Sequence, residues 1–444
     1  MNEINNTLKE SKLQIEQYIE NALGSQAQHL QKSAQEHGVL TRVREIRDAK
    51  LFLHLLLIYA VSNFSFRVLA VVATVLGAGN VTDEALRLKF KQCTNWLSFL
   101  INISLEEFKP AKSPFCDANM PIYLLDGTIF KQEGKKGKEL RVHMCYNLSL
   151  GAMEEVAITD TSKAEKADVF EVRPRSLYMA DAGFGKGTNY STIVSQGANA
   201  LFRFSPNQAK LASDADGKNI LDMSKVLKTK KKLVQLRCYI HVGGNQYLPV
   251  RIIASRLPKD KALLAQERAR RKASKQQRQI KDSTLIFCQW VILMTNLPDE
   301  YEAGFLLELY RSRWQIELLF KRIKQFFKVQ RLKKASLEHS KVLVSLWLLI
   351  WSAVERKTLL IELYLLEQKV DMSRYSIWVA SNIVFEQFVA KINLVWALYF
   401  DIDIHYQKLY SLAQNHKASR NNQYSDIRFR QAFLLTMQAS SFGC

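Results

Sequence analysis

Residues 310–324 read YRSRWQIELLFKRIK. Tyr310, Arg313, Glu317 and Lys324 stand at i, i+3, i+7 and i+14, which at about 100° per residue falls within an arc of roughly 60° on one helical face. Ile316, Leu319, Phe320, Ile323 and Phe327 gather on another arc that can meet a core. The spacing predicts one helix that packs on its apolar side and presents an acid, two cations and a phenol on the other. An acid beside fixed cations suits metal-assisted chemistry at a phosphate. A solvated face with ordinary helical charge pairs gives the same pattern. The rest of the chain has to decide between the two.

Two further acids lie upstream, each closing an apolar run. Pro-Ile-Tyr-Leu-Leu-Asp126-Gly-Thr128 reads as a buried strand that delivers Asp126 to its end, and Arg175-Ser-Leu-Tyr-Met-Ala-Asp181-Ala-Gly183 repeats the form. Between them, Glu139–Leu148 and Ala152–Thr161 form a predicted hairpin about Ser149-Leu150-Gly151, followed by the polar, helix-compatible Ser162–Asp168. Thr188–Gln196 is a predicted helix and Ala200–Ser205 one more strand. If the strands bearing Asp126 and Asp181 are parallel neighbours, both carboxylates leave the same edge of the sheet, where open α/β sheets bind ligands. Two adjacent acids repel unless a divalent cation lies between them, and Mg²⁺ suits an all-oxygen site with few protein ligands. Taken singly, an Asp-Gly turn after a strand is commonplace.

The chain has 444 residues, 48% of them hydrophobic, enough for two to four packed units. Its net charge of +21 points to a polyanionic partner, either nucleic acid or an anionic membrane surface. The apolar runs Leu51–Val61 and Val342–Val354 are shorter than the roughly 20 residues a bilayer requires, and the N-terminus carries no signal pattern. The expectation is a cytoplasmic protein without a membrane partner. Six cysteines without a CxxC pair argue for reduced thiols and against a zinc site or disulfide framework.

The positive charge is not evenly spread. Residues 228–281 hold 16 Lys and Arg against Asp260 and Glu267, a net of +14. So one-sided a run suits a phosphate backbone, with Lys230, Lys231, Lys232, Arg270, Arg271 and Lys272 as candidate contacts; a solvated loop is the bland alternative. Within it, Leu233–Val242 and Tyr247–Leu257 read as a hairpin turning at Gly243-Gly244-Asn245, and Pro258–Lys281 favours helix. Cys288–Asn296 returns to a strand pattern, and Trp290 at its mouth either stacks on a nucleotide base or fills the core. Leu297–Glu300 is expected to cap the helix of the opening motif.

The flanks are helical. Residues 6–35 are polar and helix-favouring, 41–76 are densely apolar, and a Gly77-Ala-Gly79 turn with a Thr82 N-cap precedes the basic helix Ala85–Ile101. This resembles a helix-turn-helix, although a plain bundle has the same pattern. Pro110 and Ser113-Pro114 mark a boundary. Val342–Val354, Thr358–Leu366 and Ser376–Phe400 are apolar helices suited to a buried layer or a dimer interface, and Arg428-Phe-Arg430 carries no motif.

Asp126-Gly-Thr, Asp181-Ala-Gly-Phe and Tyr310-x-x-Arg313-x-x-x-Glu317-x-x-x-x-x-x-Lys324 together resemble the bacterial DDE transposases of the insertion-sequence-four family, whose YREK signature has the last spacing. The resemblance spans about residues 118–330. It implies an α/β fold with a ribonuclease H-like catalytic core, interrupted by a β-rich insertion and flanked by helical regions. The corresponding partition is 1–115 (DNA-binding), 118–206 (core), 207–290 (basic insertion), 291–330 (core with the YREK helix) and 331–444 (dimerisation). It further implies cut-and-paste transposition. Asp126, Asp181 and Glu317 would hold two Mg²⁺ (or Mn²⁺) ions for in-line displacement at phosphorus. Tyr310, Arg313 and Lys324 would grip a terminal phosphate of double-stranded DNA, in a homodimeric synaptic complex of transposon ends and target. Family members hold a flipped base with an insertion-domain Trp. Trp290 lies one residue off the register set by Thr295-Asn296, and one residue reverses the face of a strand. The alternatives are a metal-dependent nuclease without strand transfer and a domesticated DNA binder without chemistry.

Overall fold

In a computed structural model, the chain is described from residue 23 to residue 392, apart from 42–45, 63, 76–77, 79–80, 107–119, 135–138, 163–164, 330–331, 333–334 and 373–374. Among these residues nine strands make one sheet: β1 Ile122–Lys131, β2 Glu139–Asn147, β3 Ala152–Asp160, β4 Leu177–Ala180, β5 Asn199–Arg203, β6 Leu211–Ala212, β7 Leu233–Gly243, β8 Gln246–Arg256 and β9 Trp290–Thr295. Their spatial order is β3-β2-β1-β4-β5-β9-β8-β7-β6. β1 is antiparallel to β2 but parallel to β4, and β4 is parallel to β5. The predicted hairpin is present as β7 and β8, and because β8 pairs with β9 it prolongs the same sheet. Its turn needs glycine: Gly243 and Gly244 take φ of 134° and 54°.

The helices are α1 Leu30–Glu36, α2 Ala49–Val61, α3 Phe66–Val75, α4 Asp83–Gln92, α5 Thr94–Glu106, α6 Gly187–Ser195, α7 Met223–Val226, α8 Lys259–Lys275, α9 Asp282–Phe287, α10 Ala303–Arg311, α11 Trp314–Phe326, α12 Leu337–Glu367 and α13 Ile377–Ile392. The period of two along a strand sends alternate side chains to opposite faces. Ile122, Leu124, Leu177 and Met179 thus enter one apolar layer, with α2, α5, α11 and α12, while Tyr123, Leu125, Tyr178 and Ala180 enter the other. Burial on both faces is why β1 and β4 begin as unbroken apolar runs.

Several expectations change. Among the described residues of the polar segment after β3, a 3₁₀ turn at Ala167–Val169 is the helical structure. The basic helix breaks at Cys93, whose N–H bonds to Phe90 O at 3.2 Å, although Thr82 caps α4 as expected, accepting from the Ala85 N–H at 3.2 Å. Val342–Val354 and Thr358–Leu366 fuse into α12. The Glu355-Arg356-Lys357 triplet that divides them in sequence is accommodated, because buried Glu355 accepts the Met153 N–H at 2.7 Å. α12 is long and apolar enough to cross a membrane, but 72% of its most apolar stretch is buried in the fold. It shares a core with the N-terminal helices: Trp347 Nε1 donates to Ala60 O at 2.9 Å, and the Ser104 and Ser352 hydroxyls meet at 2.9 Å. Cys93, Cys145, Cys238 and Cys288 are free thiols. The expectations for residues 6–22, the glycines at 77 and 79, Pro110, Ser113-Pro114, Cys116, residues 393–400, Arg428–Arg430 and Cys444 lie outside the described residues.

His54 on α2 supplies a test of this core. It is fully buried, neither ring nitrogen has a hydrogen-bond partner among the described residues, and burial lowers its pKa to about 4. Between the unfolded value near 6.5 and about 4, the unfolded chain binds a proton that the folded chain refuses, so stability falls as pH falls. The loss approaches about 3 kcal/mol at the acid end of that window. Denaturant midpoints of wild type and His54→Leu should therefore diverge below pH 6.5, with the variant the flatter; parallel curves would refute the assignment.

Candidate active site

The stretch that opened the sequence reading is not one helix. α10 ends at Arg311 and α11 begins at Trp314, with a 3₁₀ step between them. Arg313 N–H bonds to Tyr310 O (3.1 Å), Gln315 N–H to Ser312 O (2.9 Å) and Ile316 N–H to Arg313 O (3.3 Å). Buried Ser312 donates its hydroxyl to Leu309 O at 2.7 Å, a local bond that competes with the α-helical ladder. Asp299 is not a cap either. It pairs with Arg237 at 2.6 Å and with buried Arg251 at 3.1 Å, and α10 starts three residues after the expected Leu297–Glu300 segment.

The strand acids do meet. The parallel register sets Leu125 beside Ala180, so Asp126 and Asp181 are the next residues along the two neighbouring segments. β4 stops at Ala180, whereas β1 runs on to Lys131, contrary to the expectation that it ends at Asp126. Asp126 therefore sits where β1 loses its neighbour and its edge opens. Each acid is steadied by a nearby glycine: Gly127 N–H donates to Asp126 Oδ1 at 2.8 Å and Gly183 N–H to Asp181 Oδ1 at 2.7 Å.

α11 lies over this edge, its Ile316, Leu319 and Ile323 in the same apolar layer as Leu124 and Met179. That places Glu317, in its first turn, near the strand acids. Arg313 joins them, with Nη1 3.8 Å from Asp126 Oδ2 and Nη2 bonded to Glu317 Oε1. Lys324 donates to Thr128 Oγ1 (2.7 Å) and Ile129 O (3.0 Å), and the Tyr310 hydroxyl donates to Ala180 O (3.1 Å), one residue before Asp181. All six residues singled out for the site thus converge on the β1/β4 edge.

Burial pushes the Asp126 carboxyl up to about 7; Asp181 and Glu317 add repulsion, while the Gly127 N–H and Arg313 act against it. Burial raises Tyr310 to about 12 and lowers Lys324. Among the described residues no three His, Cys, Asp or Glu side chains converge closely enough to hold an ion as they stand, and the Arg313 guanidinium contacts both Asp126 and Glu317. The donor set nevertheless fits a hard divalent cation: its side-chain donors are carboxylates, and Arg313 does not offset the burial and repulsion that act on Asp126.

Sequence reasoning missed Glu165. It lies in the irregular segment after β3, and its carboxylate reaches both glycines that steady the acids. Burial raises its pKa and Asp181 adds to the rise. A lone acid in a loop has no motif to betray it. The remaining candidates lie elsewhere: Lys230, Lys231 and Lys232 are exposed ahead of β7, and Arg270, Arg271 and Lys272 are exposed on α8. Trp290 is 3% exposed, in the core beneath the Arg256 guanidinium at 4.7 Å, and as it stands offers no face to a base.

Residues 117–352 match the family described as the transposase DDE domain. The chain is 30% identical over 322 residues to InsL of insertion sequence element IS186A of Escherichia coli (strain K12), covering 71% of this chain and 86% of the relative. It is 30% identical over 323 residues to the transposase for insertion sequence element IS421 of Escherichia coli, with the same coverage. The domain implies a ribonuclease H-like fold and the use of divalent metal ions. On the match over more than half its length, the chain belongs to the transposase DDE domain family, enzymes that cleave DNA strands and transfer them.

Proposed function

We propose that the chain is a cut-and-paste transposase of the insertion-sequence-four type, acting on the terminal inverted repeats of its own element. In this reading Asp126, Asp181 and Glu317 hold two Mg²⁺ or Mn²⁺ ions, and Tyr310, Arg313 and Lys324 form the YREK phosphate grip. The observation that carries it is Arg313, which touches Asp126 and Glu317 at once and so links the grip to the acids. Bound divalent ions would activate the attacking water or 3′-hydroxyl and stabilise the leaving oxygen. The protein's own share is positional. Tyr310 ties α10 to the end of β4, and Lys324 ties α11 to β1, so the two strand acids and the helix acid keep one geometry. Arg313 offers two parallel N–H donors that match two phosphate oxygens. Residues 207–290 act as a β-rich insertion in the catalytic core, residues 1–115 bind DNA, 331–444 dimerise in the synaptic complex, and the protein works in the cytoplasm at the nucleoid.

The test is incubation of the full chain with end DNA in Mg²⁺, followed by detection of cut ends and of strands joined to target. No cutting in Mg²⁺ or Mn²⁺ would overturn the reading, and cutting without joining would favour a nuclease. Arg313→Ala should slow single-turnover cleavage of pre-bound DNA by about 100-fold; normal cutting and transfer would sink its role as a phosphate grip. Replacing Lys230, Lys231 and Lys232 together by Gln should weaken binding to any duplex sequence. It should also make the slope of log affinity against log salt shallower by about 2 to 3. An unchanged slope would remove this segment from the interface.

A further inference from the structure

Gly127 and Gly183 do not owe their presence to backbone conformation, because neither lies in the positive-φ region. Space explains them. A Cβ on Gly183 would stand 2.1 Å from Glu165 Oε2 and 2.9 Å from Asp181 Oδ1, and a Cβ on Gly127 would stand 3.2 Å from Glu165 Oε1. One carboxylate therefore lies against both acid-bearing turns. The shared reference point at Gly183 puts Glu165 Oε2 and Asp181 Oδ1 within about 5 Å of each other, close enough for strong repulsion between like charges.

That proximity is built, not incidental. Asn189 on α6 is 3% exposed; its Nδ2 donates to Glu165 O at 3.3 Å and to Phe184 O at 3.2 Å, and its Oδ1 accepts from the Ala167 N–H at 3.0 Å. One buried amide thus fastens the backbone of Glu165 to the turn that follows Asp181. A spacer needs no charge, and glutamine would fill the same volume without repelling Asp181. Arg141 and Lys186 offset part of that repulsion, but burial and Asp181 outweigh them, and a carboxylate kept there at net cost calls for a use.

We propose that Glu165 is a fourth acid of the active site, a positioning residue that accepts hydrogen bonds from water on a divalent ion held by Asp126 and Asp181. Ions such as Mg²⁺ keep several of their waters, and acidic groups just outside the ligands orient them. This rests on the proposed ion-holding role of the aspartates, and the experiment separates the two. Mn²⁺ binding to the full chain is measured by calorimetric titration, without DNA, for wild type, E165Q, E165D and D181N, together with ion-free melting temperatures. E165Q should bind Mn²⁺ about 10–100-fold more weakly and melt no lower than wild type. E165D, which keeps the charge, should restore binding to within about tenfold of wild type. Wild-type binding by E165Q beside a loss in D181N would overturn the role of Glu165 and leave the aspartates in place. Wild-type binding by D181N would overturn the ion-holding reading itself. If E165Q lowers the ion-free melting temperature and E165D does not restore Mn²⁺ binding, Glu165 is a spacer. Should E165Q not fold, E165D alone decides: binding far below wild type in a stably folded variant overturns the proposal.

Discussion

Asp126→Asn should abolish strand cleavage, slowing it by about a thousand-fold or more, while the protein folds as before. Asparagine is the same size and keeps an oxygen for the Gly127 N–H, so the local strand geometry survives. What disappears is a negative charge on a side chain only 13% exposed, where electrostatic effects exceed those in water. A thousand-fold corresponds to about 4 kcal/mol of transition-state stabilisation, a scale already reached by single preorganised groups in other active sites. Above about pH 7, where the ion-free carboxyl is charged, loss of the charge also removes the cost of burying it and the repulsion from Asp181 and Glu317, so there the ion-free variant should be at least as stable as wild type. The two measurements together are diagnostic. Cleavage within tenfold of wild type removes Asp126 from the chemistry, and a large fall in stability would mean that the loss of activity reports unfolding.

Gly187→Ala should cost about 3 kcal/mol or more, although it adds one methyl group. Gly187 opens α6, and its added Cβ would lie 1.8 Å from the His241 carbonyl oxygen and 2.8 Å from the carbonyl carbon. Those are backbone atoms of β7, held in register with β8, and they have no rotamer by which to retreat. α6 is fastened to the hairpin a second time, since the Tyr190 hydroxyl donates to Pro249 O at 2.8 Å. To admit the methyl group the helix must lift off the hairpin, taking with it the turn that positions Asp181. Gly304→Ala is the matched control. It lies in α10, where among the described residues nothing beyond its chain neighbours and its own helix backbone comes within 4 Å of the new Cβ, so it should be neutral or stabilising by up to about 1 kcal/mol. Denaturant midpoints that rank the two variants equally would refute the contact.

The strand acids were legible because a strand buried on both faces writes itself as an apolar run, and each run here is followed by an acid. The β7–β8 hairpin and α8 were legible from the glycine pair and the helix-favouring charge run. The break at Ser312 was not. It depends on a serine hydroxyl choosing a carbonyl of its own helix, and a fixed angle per residue assumes no such choice. Asp299 looked like a cap because it precedes a helix, but its partners Arg237 and Arg251 lie on strands about 50 to 60 residues upstream, a distance no local pattern conveys. The unity of α12 was hidden by a polar triplet whose acid finds a backbone partner on β3. Trp290 had two readings, and burial beside Arg256 gives the core one. Glu165 was invisible for the most general reason: its significance lies in what approaches it.

The broken helix also fixes a length of chain between two anchors. In a continuous helix, inserting one turn of about four residues between Tyr310 and Glu317 would return both side chains to nearly the same face, shifted by about 6 Å along the axis. Here the Tyr310 hydroxyl is pinned to Ala180 O on one side of the step and Glu317 is pinned through Arg313 to Asp126 on the other. The segment between the two anchors is a strut of fixed span. Substitutions within it change its chemistry, but any insertion or deletion pulls one anchor off the sheet. At Ser312 the geometry constrains the length of the chain more tightly than the identity of its residues.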